Sequence, residues 1–256
     1  MTKATVSRSE VAVYGKNAAL AVFLHRPEDI VRVFYAPRSR PFIGEMLSHC
    51  ARRRVPYREL SDDELSRIAK AGHHEGLVVV ASPKWFVDLN GLLDTVYCPS
   101  SVFVALEDVE NPHNLGAIIR SAAAFGVSGV IVSGAITQSG RISAATLRVA
   151  EGGAELLPVA AVSDMGQAVL SLKRQGVFTV ATDAQRGSDL FSAKVPRPVV
   201  LVFGNEGHGT RAATRAQCDR SIRIPTTERV QSLNVSVAAA VIMAEMWRTR
   251  EEGPRK

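Results

Sequence analysis

The sequence predicts an α/β fold: a parallel sheet with helices on both faces, preceded by a smaller α/β domain. Three observations lead there. Through the second half, short wholly apolar runs such as 102-VFVAL-106, 129-GVIV-132 and 199-VVLVF-203 alternate with stretches of helical periodicity, the pattern of strands buried on both sides. The first half alternates helix and strand less regularly and carries more charge. Clusters of Gly, Pro, Asn and Glu follow the apolar runs, where an open α/β sheet has its ligand crevice.

The elements follow in order. Ala18, Ala19, Val22 and Phe23 recur at helical spacing, which predicts a helix over 16–25. The run 30-IVRVFYA-36 alternates as a strand and Pro37 ends it. A second helix is predicted over 41–54 and a third over 61–70, where Ser61 is a ready N-cap and acids fill the first turn. The run 76-GLVVVAS-82 closes a small domain over residues 8–82. His73 and His74 read as a turn pair. Residues 83–100, broken by Pro83, Gly91 and Pro99, read as a linker with one short helical region. The second domain, 101–256, is predicted as strand 102–109, helix 114–125, strand 129–134, helix 143–153, strand 156–162 and helix 164–175. Strand 177–183, strand 198–203, a helix near 210–217, strand 221–226 and a helix over 232–249 complete it.

Composition limits the functional classes. Of 256 residues, 46% are apolar and 22% charged, ordinary for a soluble globular protein. No apolar run approaches the roughly 20 residues of a membrane span, and the start MTKATVSRSE has no signal-like segment. Cys50, Cys98 and Cys218 are far apart and form no CxxC pair, which fits a reducing cytoplasm and argues against a metal cluster. The net charge of +6 is uneven: residues 32–58 hold seven arginines and one acid, Glu45. Arg52, Arg53, Arg54 and Arg58 are candidate phosphate contacts, because the guanidinium matches phosphate geometry. A solvated helix face explains the same tract equally well.

The loops carry more specific signals. They are 111-NPHNLGAIIR-120, 204-GNEGHG-209, and 224-IP-225 followed by 232-SLNVS-236. None is a GxGxxG fingerprint or a P-loop, so a conventional dinucleotide or nucleoside-triphosphate site is not expected. Together, in this order, they resemble the motifs N-P-x-N-x-G-x-x-x-R, G-x-E-x-x-G and I-P…S-L-N-V-S of the TrmH (SpoU) family of SPOUT-class RNA 2′-O-ribose methyltransferases. The N-terminal part, with VYGKNAAL and HHEGLVVV, resembles the ribosomal-protein-type RNA-binding domain of many members. The stretch 148-RVAEGGAELLPV-159 resembles a less-characterised bacterial branch.

That resemblance implies a trefoil knot in the C-terminal part, a homodimer, S-adenosyl-L-methionine as cofactor, and tRNA or rRNA as substrate, with no metal and no membrane. It implies that Arg120 is the catalytic arginine beside Asn114, that Glu206 is the acid of the second motif, and that Ser232 and Asn234 are the polar pair of the third. It places the main chain of Gly204, Ile224 and Leu233 against the cofactor's adenosine, with Thr182 expected in the same pocket. Independently, a glycine such as Gly204 lets a loop approach a ligand closely, and Asn234 and Ser232 also suit the start of the last helix. Two roles are open for Arg120: general base, or a cation that orients the hydroxyl and a phosphate. The first is chemically awkward for a group with a pKa above about 12. The chain departs from the family pattern at Thr226 and Glu228, where methionine and glycine are usual. Those departures leave an alternative, an RNA-binding or assembly factor with a weakened site.

Overall fold

The computed structural model describes residues 10–227, 229 and 231–250. Residues 8 and 9 of the small domain, Glu228 and residues 251–256 lie outside the described residues.

The small domain holds β1 (Val11–Tyr14), α1 (Lys16–His25), β2 (Ile30–Tyr35), α2 (Arg40–Arg53), β3 (Tyr57–Glu59), α3 (Asp62–Ala69) and β4 (Leu77–Ala81). Its sheet runs β1-β4-β2-β3, with β4 antiparallel to both neighbours and β3 parallel to β2. Helix α3 begins as its sequence dictates. Ser61 accepts from the Glu64 N–H while the Glu64 carboxylate accepts from the Ser61 N–H, a reciprocal cap. His74 is buried, its Nδ1 accepts from the Gly76 N–H at 3.1 Å and its carbonyl accepts from the Leu77 N–H at 3.0 Å, so the turn into β4 is made by Glu75 and Gly76, with His74 opening it and His73 before it.

Residues 83–100 are not a free connector. They contain α4 (Leu89–Val96), capped by Asp88. Leu92 and Leu93 pack against Phe103, Ile131 and Ala160 of the large sheet. Burying each leucine contributes about 1.5–3 kcal/mol, so this segment belongs to the sheet it precedes.

The large sheet follows: β5 (Val102–Leu106), α5 (Pro112–Ala124), β6 (Gly129–Val132), α6 (Ala144–Ala150), α7 (Gly153–Leu156), β7 (Val159–Ala161), α8 (Met165–Arg174) and β8 (Phe178–Thr182). Then come β9 (Ser188–Asp189), β10 (Val199–Phe203), α9 (Ala212–Gln217), β11 (Arg220–Arg223) and α10 (Val235–Arg248). Its order is β7-β6-β5-β10-β8-β11-β9, parallel at every pairing. The pleat divides the strands between two cores. Val102, Val104 and Leu106 face a layer containing Leu115, Ile118 and Ile119 of α5 and Ile242 and Met243 of α10. Phe103 and Ala105 face Leu92 of α4 and Val169 and Leu172 of α8. Both faces are therefore covered by helices, as the all-apolar strands require.

The first of these cores is shared. Val13, Val22 and Val79 of the small domain belong to the same apolar cluster as Leu115, Leu147 and Ala150. Helix α6 packs on β1, and α1 packs on α7. Among the described residues no helix is long and apolar enough to cross a membrane.

Candidate active site

The three motif loops gather at the carboxyl edge of the large sheet, held by local hydrogen bonds. At the end of β5, Asn111 accepts from the His113 N–H at 2.9 Å and Pro112 opens α5, so the helix starts two residues earlier than its periodicity predicts. This puts Asn114 inside the first turn and turns it inward, 9% exposed. Glu107 is almost wholly buried. It accepts from the Arg211 N–H at 2.8 Å and the Thr214 hydroxyl at 2.5 Å. Those bonds compensate a buried carboxylate and tie the first motif's strand to the chain following the second motif. The second motif is a tight turn in which the Gly209 N–H donates to the Asn205 carbonyl at 2.7 Å. A Cβ on Gly204 would lie 1.9 Å from the Gly209 carbonyl carbon, so no side chain fits there.

Beside these loops lies a cavity of about 570 Å³. Thr182, Gly204, Glu206, Ile224, Ser232 and Leu233 line it, together with Phe203, Ile222, Val235 and Ile242 as an apolar wall. Thr182 donates its hydroxyl to the Val202 carbonyl at 3.0 Å, locking the β8 and β10 ends together. Thr226 is also on the wall. Sequence reasoning missed Asp183, Arg186, His208 and Arg215, which line it too. The position of Asp183 directly after strand residue Thr182, at the carboxyl edge, was the available signal. Burial works to raise the Asp183 carboxyl. The N–H groups of Gln185 and Arg186 and the Arg215 guanidinium, 2.7 Å away, outweigh it and hold the group below the usual carboxylate range.

One residue from each motif meets in a polar cluster. The Asn114 amide donates to Glu206. The Asn234 amide nitrogen sits 3.3 Å from the Asn114 oxygen and 3.4 Å from Glu206 Oε1. The Asn234 oxygen accepts from the Ser236 N–H at 2.9 Å, capping α10. That bond fixes which end of the amide faces the cluster. Helix α10 begins at Val235, so Ser232 precedes the helix rather than starting it, and is exposed on the cavity wall.

Arg120 is not in this cluster. Six residues past Asn114, at about 100° per residue, it points roughly 240° further round α5. It is exposed and is not among the residues lining the cavity. Its Cα lies 3.1 Å from where a Cβ on Gly153 would be, and its charge acts on the Glu151 carboxylate.

The arginine tract is partly neutralised. Arg53 pairs with Glu28, Arg32 with Glu10, Arg38 with Asp62 at 2.7 Å and Arg40 with Glu59 at 2.7 Å. All four acids lie outside the 32–58 window, three of them within four residues of it, which is why counting within it overstates the free charge. Arg52, Arg54 and Arg58 are exposed and form no ion pair among the described residues. Arg52 and Arg53 end α2, where cations also suit the helix dipole.

Two family models account for nearly all of this architecture. The SpoU rRNA methylase family model matches residues 101–244, and a model described as RNA 2′-O ribose methyltransferase substrate binding matches residues 12–86. The chain belongs to the SpoU rRNA methylase family. Among SpoU relatives, it is 35% identical to the tRNA/rRNA methyltransferase YfiF of Escherichia coli O157:H7, named as uncharacterised, over 93% of this chain and 68% of that protein. It is also 35% identical to the 23S rRNA (guanosine-2′-O-)-methyltransferase RlmB of Pseudomonas aeruginosa, over 93% of this chain and 96% of that one. An AdoMet-bound rRNA methyltransferase from Sinorhizobium meliloti has the same fold, with a TM-score of 0.78 and 25% identity over 95% of this chain and 88% of that structure. The small sheet of this SpoU chain falls inside the 12–86 match and the motif loops fall inside the other.

Proposed function

We propose that this chain transfers a methyl group from S-adenosyl-L-methionine (AdoMet) to a ribose 2′-oxygen of RNA. The observation that carries the reading is the meeting of Asn114, Glu206 and Asn234, one from each motif, beside a cavity lined by Thr182, Gly204, Ile224 and Leu233. The cavity fits the cofactor by its chemistry. The apolar wall of Phe203, Ile222 and Ile224 offers a face for adenine, and the polar side holds groups for a ribose and an amino acid. When bound, the cofactor supplies an electrophilic methyl on a sulfonium.

The chain's own residues position the reaction. Asn114 and Asn234 orient Glu206, and Ser232 faces the same space from the cavity wall. Arg120 supplies a cation for an RNA phosphate and the 2′-oxygen. Because it lies outside its own chain's cavity, we assign the working form as a homodimer in which one copy's Arg120 serves the other's cavity. We also assign a trefoil knot. It is supported by β10 lying between β5 and β8, and by the return of Asn234 to Asn114 after the sheet is complete. Domains at 8–82 and 101–256 divide binding and chemistry, with Arg52, Arg53, Arg54 and Arg58 as phosphate contacts. The three cysteines are unpaired, which supports the cytoplasm as the compartment.

The names of relatives such as RlmB make 23S rRNA guanosine the first substrate to test. Titration calorimetry should show one AdoMet site per chain, and tritium from [methyl-³H]AdoMet should enter the ribose of 23S rRNA from cells lacking the protein. AdoMet binding without transfer to rRNA or tRNA would favour the binding-factor alternative. No AdoMet binding would remove the proposal.

A further inference from the structure

The run 52-RRRVPYR-58 sets one tyrosine among four arginines, and the phosphate contacts assigned to those arginines leave the tyrosine without a role. Helix α2 leads through Arg54, Val55 and Pro56 straight into β3, the outer strand of the small sheet. All three residues of β3 are exposed. Tyr57 is 44% exposed, and its hydroxyl makes no hydrogen bond among the described residues. The other tyrosines and phenylalanines of the small domain, Tyr14, Phe23, Phe34, Tyr35 and Phe42, are buried or half-buried. Strand propensity accounts for a tyrosine in β3 but not for a ring that nothing covers.

The register of the strand fixes what surrounds that ring. Tyr57 pairs with Val33 and Glu59 with Tyr35. Val33 and Tyr35 face Ile43, Met46 and Cys50, so Tyr57 and Glu59 lie on the sheet face that α2 covers. Arg40, the first residue of α2, holds Glu59 at 2.7 Å. The helix therefore runs back along the strand, and its last arginines lie at the Tyr57 end. The turn between them is fixed, since the Val55 N–H donates to the Cys50 carbonyl at 2.9 Å. Arg58 pairs with Phe34, whose face packs against Leu65 and Ala69 of α3, so it projects from the opposite side. Arg52, Arg54 and Arg58 are exposed and form no ion pair among the described residues. An uncovered aromatic face with unpaired cations on both sides of its strand complements a polyanion that also carries flat apolar rings.

We propose that the β3 edge binds unpaired RNA, with a nucleobase stacked on Tyr57 and the flanking phosphates on Arg52 and Arg54 at one face and Arg58 at the other. The proposal rests on RNA being the substrate and names its class, a loop or single strand at the small domain. A duplex keeps its base faces stacked inside the helix and offers this ring nothing to stack on. A free base can do so whatever its sequence, because every base has a π-face.

The test uses the full chain and a fluorescein-labelled oligoadenylate, alone and annealed to oligouridylate, with affinity read by anisotropy over a range of salt. Tyr57→Val removes the ring and keeps a residue that favours strands. It should weaken single-strand binding about tenfold, within the range of one lost base stack. Duplex binding should stay within about twofold. The salt slope should not change, because a tyrosine releases no counterion, whereas Arg54→Glu should flatten it. Tyr57→Phe should bind like the native chain, since stacking needs the ring and not the hydroxyl. Unchanged single-strand affinity in Tyr57→Val, an equal loss on the duplex, or an equal loss in Tyr57→Phe would overturn the proposal. So would a fall from dimer to monomer mass in Tyr57→Val by sedimentation, which would give the ring to a second copy of the chain. Methyl transfer separates the two levels. If the native chain methylates RNA and Tyr57→Val binds the single strand as tightly, only the stacking site fails. If the native chain binds neither form of RNA, the reading of the substrate fails and this site with it.

Discussion

The first and third turns of α5 carry two polar residues of one motif, Asn114 and Arg120, into opposite surroundings. Asn114 is buried and bonded to residues from both other motifs. Arg120 is exposed, without a hydrogen bond or ion pair among the described residues, and its neighbours come from the α6–α7 corner. One motif therefore does two jobs. Its start fastens loops around a cavity, and its end leaves an unpaired charge on the surface. Asn114 has its partners within the chain; the proposed function gives Arg120 its partner in the RNA.

That contrast can be broken by substitution. The largest expected effect is that of Arg120→Ala, which should abolish methyl transfer while AdoMet affinity, read by calorimetry, stays within a few-fold. Near-normal turnover would erase the distinction between the two turns. Next is Gly204→Ala. Its Cβ meets the Gly209–Thr210 backbone, so the loop must move, and AdoMet affinity should fall by about a hundredfold or more, roughly 2.7 kcal/mol. An unchanged isotherm would take Gly204 out of the cofactor's path. Asn114→Ala should cost stability where Arg120→Ala does not. It strands a polar cluster, an effect of about 1–3 kcal/mol by urea unfolding.

Smaller effects belong to the small domain. Reversing Arg52, Arg54 and Arg58 to glutamate should weaken RNA binding and flatten its salt dependence, by about one unit for each phosphate no longer neutralised. Arg53→Glu should do less, because Glu28 already holds Arg53. The smallest effect is acid sensitivity. Glu151 and Asp183 are both held below their ordinary values. Their stabilisation is full above the unfolded values, about 4, and is lost as pH falls through the lower folded values. Urea midpoints should therefore hold down to about pH 4 and decline only below it.

Much of the fold is legible in the sequence where a helix declares its own ends. The helix over 16–25 matches its periodicity to the residue, and the Ser61–Glu64 cap is written in four consecutive letters. Two strands of the small sheet escape sequence reasoning for different reasons. Tyr57–Glu59 is exposed throughout and carries no burial pattern; Val11–Tyr14 is too short to show a period before Gly15. Helix α4 is the short helical region expected within the linker; Gly91 hides its extent, and only the sheet beneath explains Leu92 and Leu93. In the site, the carboxyl-edge rule brings the motif loops together, and the family resemblance singles out Thr182, Gly204, Glu206, Ile224, Ser232 and Leu233, which line one cavity. Glu107 gives no local sign, since Thr214 lies 107 residues away, and the Asn17 bond of Glu151 spans 134 residues although its Arg148 pair is local. The turning of Arg120 away from Asn114 is countable from helix geometry alone.

The strand order has a consequence for synthesis. Strand β5 pairs with β6 on one side and with β10 on the other, and β10 is made roughly a hundred residues later. At about 5–20 residues per second, the apolar edge VFVAL waits on the order of 5–20 s at the ribosome with its outer row of amides unpaired. A nascent chain at that stage presents an open template to other strands. Any capture of this edge by other strands should therefore end once residues 199–203 have emerged and paired with it.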